Sequence, residues 1–180
     1  MKRSHLLWVV LFAAAGLIYW GSPGNGRLPE EELAVWSNPS ITHPGLWPAL
    51  LGRFYDASHD GVNSAIRPVA TMVLRTEFAL FHQSRPAFQK GQILLLALAA
   101  SFFYLLCLRL FRSRIAGLIG SLLLVAHPLG TASVLNVAGA SDLLSLGFCF
   151  LAIYLLWKCL EQDGGSGITA GWVAAMGMLL

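Results

Sequence analysis

The sequence predicts an all-α fold, a polytopic helical membrane protein with four transmembrane helices plus a partial fifth and an outer-face loop containing interfacial helices. Three observations predict it. Of 180 residues, 56% are apolar and only 12% charged, and mean hydropathy is strongly positive at +0.65. The apolar residues fall in long runs. Those runs are punctuated by arginine, lysine, proline and glycine at intervals that suit a bilayer. A water-soluble domain would need far more charge to cover its surface, whereas a hydrocarbon core of about 30 Å needs roughly 20 mostly apolar residues per helix.

The elements follow in order. Leu6–Trp20, after Lys2 and Arg3, ends at Gly21-Ser22-Pro23-Gly24 without a small-x-small cleavage site, and reads as an uncleaved signal anchor (residues 1–21). Residues 22–91 form the outer-face loop. Within it Leu46, Trp47, Leu50, Leu51, Phe54 and Tyr55 share one face of a helix that would lie in the membrane interface. Pro68 suits the first turn of a second helix, reaching about His82 and carrying Thr71, Arg75, Glu77 and His82. Residues 92–180 form the transmembrane bundle. Its spans cover about Gln92–Leu110, then Ile115 to the His127-Pro128 pair, then Leu143–Trp157 after a polar hinge at 127–142. Glu161–Gly167 is a flexible connector, and the last span starts at Ile168. Thirteen helical residues reach only about 20 Å, so the bundle is expected to continue in a longer chain or against another subunit.

Lys2 and Arg3, then Arg109, Arg112 and Arg114, then Lys158 fall on one side if each span crosses once. Positive charge in short loops marks the cytoplasmic side, so the N-terminus is expected there, with 21–90 and the 127–142 hinge on the outer face. The net charge of +3 is too small and too scattered for a nucleic-acid partner. Cys107, Cys149 and Cys159 lie in or beside spans without C-x-x-C spacing and read as packing residues. Asp56, His59 and Asp60 sit in a stretch of loop composition without a second histidine at helical spacing. No cofactor is assigned: a divalent metal is compatible with the chemistry below, but no ligand spacing indicates one. No solenoid repeat, nucleophilic triad or phosphate-binding glycine loop is visible.

Two polar positions stand at span ends. His127 before proline reads either as a local cap or as a functional intramembrane group. Asp142 heads the fourth span, where capping of the positive helix end competes with a site role.

Arg67-Pro68-Val69-Ala70-Thr71, Glu77-Phe78-Ala79-Leu80-Phe81, His127-Pro128 and Gly139-Ala140-Ser141-Asp142-Leu143-Leu144 occur in that order. Together they resemble the GT-C glycosyltransferases, nearest the transmembrane O-mannosyltransferase-like proteins that carry tetratricopeptide repeats after their membrane region. The resemblance covers roughly Leu28 to Trp157. It implies transfer of a sugar from a polyprenyl-phosphate donor held in the membrane lipid to an acceptor on the extracytoplasmic face, in a bacterial inner membrane. It places a family Asp-Asp pair at Glu30 and Glu31, eight and seven residues before Asn38-Pro39. Transfer to a hydroxyl needs a carboxylate as base or orienting group, and cations or donors for the departing phosphate. Glu30 and Glu31 are thus the catalytic candidates; Arg67, Arg75, His127 and Asp142 are the substrate-binding ones. Glu31 and Arg67 are expected within about 20 Å of each other, several times direct charge-pair range. By composition alone Glu30-Glu31-Glu32 reads first as a solvated acidic turn after Pro29.

The chain departs from the family pattern in several places. Glutamates replace aspartates, Ala132 and Ala140 stand where an acid and an arginine are usual, and Lys90 and Gln92 stand near a usual His and Asn. These departures support a second reading, a non-catalytic membrane subunit or pseudoenzyme acting as scaffold in a complex with other membrane subunits.

Overall fold

The computed structural model describes residues 2–21, 26, 29–42 and 67–161. The expected interfacial helix at 46–55, the Asp56/His59/Asp60 stretch, the 162–167 connector and the span from Ile168 lie outside the described residues. All regular structure among the described residues is helical. In chain order it comprises α1 (Lys2–Ile18), α2 (Pro29–Glu31) running into a π-helical turn (Glu32–Trp36), α3 (Pro39–Thr42), α4 (Pro68–Phe81) and α5 (Arg85–Phe111). Then come α6 (Arg114–Ala126), α7 (Pro128–Leu135), a 3-10 turn (Val137–Gly139) and α8 (Ala140–Glu161).

Among the described residues two helices are long and apolar enough to cross a membrane. The 27 residues of α5 extend about 40 Å and the 22 of α8 about 33 Å at 1.5 Å per residue. A third candidate is the pair α6 and α7, bent by 51° at His127-Pro128. Residues 9–18 of α1 form a shorter apolar helix.

The α6–α7 bend follows from local chemistry. Pro128 has no N–H to continue the ladder, and its ring fits the first turn of α7. The Leu129 N–H, which would otherwise pair with the Val125 carbonyl, donates instead to His127 Nδ1 at 3.2 Å. The Val125 carbonyl accepts from the Tyr19 hydroxyl at 2.9 Å, and that hydroxyl also lies 3.1 Å from Thr131 Oγ1. A broken helix is tolerated in a bilayer only where its freed backbone groups find such partners. The stretch read as a polar hinge is therefore largely helical. His127 caps α7, and Asn136 caps the 3-10 turn by accepting from the Ala138 N–H at 2.9 Å.

Two apolar clusters hold the bundle. One gathers Ala15 and Tyr19 of α1, Leu96, Ala97 and Ala100 of α5, Val125, Val134 and Leu143. The other lies at the α5 N-terminal end, where Trp36, Ile41, Leu74, Phe88, Val137 and Ala140 are buried together. There the Trp36 ring meets Phe88 edge-on, with centroids 4.8 Å apart. At the opposite end the Arg109 guanidinium lies over the Tyr154 ring at 5.7 Å, joining the C-terminal turns of α5 and α8. Glycine is required at 139, because a Cβ there would collide with the backbone of Ser133.

Candidate functional site

The helix α5 begins at Arg85, seven residues ahead of the span expected from Gln92. Its first turns carry Arg85, Gln89 and Gln92, which recur at helical spacing on one face, and all three are buried. That face meets the short α2. Arg85 grips the Glu31 carboxylate with two bonds, Nε to Oε2 at 2.7 Å and a terminal nitrogen to Oε1 at 3.0 Å. Oε1 also accepts from the Val137 N–H at 3.0 Å. Arg85 donates further to the Leu135 carbonyl at 3.1 Å, and the Gln92 amide reaches the Val137 carbonyl at 3.4 Å. Glu31 is 0% exposed.

This network clamps α2 to the turn between α7 and α8. A paired, multiply hydrogen-bonded carboxylate is the form in which charge survives burial. The backbone of Glu30 is helical within α2, while its side chain lies outside the described part. Asn38 closes the segment: its Oδ1 accepts from the Ser40 N–H at 2.9 Å, and Pro39 opens α3.

Three of the remaining predicted residues, Arg67, His127 and Asp142, gather around the start of α8. Arg67, which precedes α4, donates to the buried Ser141 hydroxyl. Ser141 in turn lies 3.4 Å from Asp142 Oδ1. The contact points of Glu31 and Arg67, at Val137 and Ser141, are four residues apart, at most about 15 Å of chain.

Asp142 is exposed, and with His127 it lines an open cleft of about 370 Å³ whose walls include Ser133, Leu96, Leu124 and Leu143. Because His127 Nδ1 accepts a backbone N–H, the proton of the neutral ring sits on Nε2. The ring is then a donor on its other side. The cleft thus offers an N–H donor, a carboxylate acceptor and apolar walls. Arg75 is half-buried on α4, about 12 Å along the axis from Arg67.

Sequence reasoning missed Arg85 and Ser141. The signal for Arg85 was available, since Ser84-Arg85-Pro86 repeats the Arg-Pro that opens α4. Glu77, named on the expected Pro68 helix, has its Oε2 buried without a hydrogen-bond partner and its carboxyl against Gly91. Burial pushes the Glu77 carboxyl up from 4.5 to about 7. Ala140 is fully buried in the cluster at the α5 N-terminal end. Among the described residues no group of three or more His, Cys, Asp or Glu side chains is arranged around a common point.

Residues 65–180 match the dolichyl-phosphate-mannose-protein mannosyltransferase family. The chain belongs to this family. It is accordingly an integral membrane protein of glycosyltransferase kind, and the mannosyltransferase family uses a lipid-linked sugar donor. The matched segment contains Arg67, Arg75, Arg85, His127 and Asp142, whereas Glu30 and Glu31 precede it. No curated protein and no solved structure matches the chain.

Proposed function

We propose that the protein transfers a sugar from a polyprenyl-phosphate donor to a hydroxyl acceptor on the extracytoplasmic face of a bacterial inner membrane. In this reading it is a GT-C-type enzyme related to the tetratricopeptide-carrying group. It has a cytoplasmic N-terminus and four spans plus part of a fifth. The observation that carries the reading is the cleft at the start of α8. Inside the family-matched segment it places His127 and Asp142 on one apolar-walled opening, with Arg67 tied to the neighbouring Ser141.

In the reaction the acceptor oxygen bonds to the sugar's anomeric carbon as the bond from that carbon to the phosphate oxygen breaks. The phosphate leaves with the electron pair, and the acceptor proton passes to a carboxylate. Glu30 is that carboxylate. Glu31, locked to Arg85, is a positioning residue that fixes the turn bearing Glu30. Arg67 and Arg75 supply positive charge for the phosphate, and His127 and Asp142 bind the sugar hydroxyls.

One observation favours the scaffold reading instead: Glu31 is fully enclosed and its partners are already committed, so it is not free to take a proton. Reconstituted protein supplied with radiolabelled polyprenyl-phosphate sugars separates the two. The enzyme reading expects sugar transfer that falls about a hundredfold or more in Glu30→Gln with folding unchanged. Absence of transfer across mannosyl, glucosyl and galactosyl donors, with the lipid still bound, supports the scaffold.

A further inference from the structure

A second cleft, of about 470 Å³, opens between the C-terminal end of α1 and α5, lined by Gly16, Tyr19, Trp20, Lys90 and Ile93. At 100° per residue Lys90 stands about 140° round the helix from Arg85 and about 100° from Gln89. We propose that this cleft binds the headgroup of an anionic phospholipid, with the Lys90 ammonium on the phosphate and the Trp20 and Tyr19 rings flanking the first carbons of its chains.

The chemistry of the lining selects that class. Lys90 is exposed and makes no ion pair among the described residues. Trp20 is 82% exposed and Leu17 75%, an aromatic and an aliphatic group left bare at the end of an apolar helix. Trp and Tyr at that level are the side chains that sit at lipid headgroups, and a nearby cation draws anionic lipid. The Tyr19 hydroxyl is engaged by the Val125 carbonyl and by Thr131, so the Lys90 ammonium is the charged group that the cleft offers a ligand. A zwitterionic headgroup would bring its own cation against Lys90.

The test is native mass spectrometry of the detergent-purified full chain with equimolar phosphatidylglycerol and phosphatidylcholine. A single lysine near a membrane surface contributes about 1 kcal/mol, so phosphatidylglycerol adducts should exceed phosphatidylcholine adducts about fivefold. Lys90→Gln should bring that ratio close to one. Lys158→Gln, in the last turn of α8 at the other end of the bundle, should leave it unchanged. A Cβ at Gly16 meets nothing within 4 Å, so the side chain of Gly16→Leu starts into open space beside the cleft and should reduce both adducts. Equal adducts in the unaltered protein, an unchanged ratio in Lys90→Gln, or an equal loss in Lys158→Gln would overturn the site. If polyprenyl phosphate displaces phosphatidylglycerol in a Lys90-dependent way, the occupant is the donor lipid and the phospholipid assignment fails. The proposal does not depend on sugar transfer.

Discussion

Glu31 and Glu77 are both carboxylic acids packed at the α5 N-terminal end of the bundle, and their surroundings are opposites. Glu31 is completely enclosed and meets a bidentate arginine and a backbone N–H. Glu77 keeps an oxygen buried without a partner, against the bare backbone of Gly91. Burial alone therefore does not decide what a carboxylate does. With a fixed cation it becomes an ionised strut, whereas without one it becomes a group that holds its proton until near neutral pH. The strut fixes α2 against α5, and the second group makes the α4–α5 contact sensitive to pH.

The largest effect expected from this contrast is on the strut. Arg85→Leu strands the Glu31 charge in a closed site and should destabilise the protein by about 3–5 kcal/mol, read as a lower thermal midpoint in detergent. Adding Glu31→Leu should restore part of that loss, since removing both partners leaves no unpaired charge. If Arg85→Leu unfolds no earlier than the unaltered protein, the network does not hold α2 in place.

A smaller effect belongs to Glu77. Its folded-state value of about 7 lies above its ordinary 4.5, so between these values the folded protein holds a proton that the unfolded chain has released. Stability must then fall as pH rises from about 4.5 to 7, by up to about 3 kcal/mol, and level off above. The difference between the unaltered protein and Glu77→Gln, measured by thermal unfolding across that window, isolates the slope. A constant difference with pH would contradict the assignment.

Gly91→Ala gives the finest test. The added methyl occupies the space of the Glu77 carboxyl, whose flexible end can swing outward. Helix propensity gains up to about 1 kcal/mol at an interior position, so net stability should change little. The pH slope assigned to Glu77 should nevertheless flatten, because the carboxyl returns to water.

The same pair shows which parts of the molecule were legible in the sequence. The helix from Pro68 and the apolar stretches inside α5, α6 and α8 follow from proline placement and hydrophobic runs, which are local signals. The start of α5 was misplaced because Arg85, Gln89 and Gln92 look like loop polarity until their partners, the Glu31 carboxylate and the carbonyls of Leu135 and Val137, are known. Those partners lie some fifty residues away, and no period or spacing encodes them. The helix at Pro128–Leu135 was readable in principle, since a histidine at the cap followed by proline is a helix start. Glu31 was recognised as a residue that matters, but whether a carboxylate is a base or a strut depends on its enclosure.

The central claim is that the cleft of His127 and Asp142 holds the substrate while the Glu31–Arg85 pair holds the fold. The most direct test is the sugar-transfer rate of reconstituted Asp142→Asn, compared with the unaltered protein at matched folded fraction. Loss of the carboxylate acceptor facing the sugar hydroxyls should lower kcat/KM at least about tenfold, equivalent to one charge-assisted hydrogen bond, with no change in thermal midpoint. An unaltered transfer rate in Asp142→Asn would show that the substrate lies elsewhere and contradict the account.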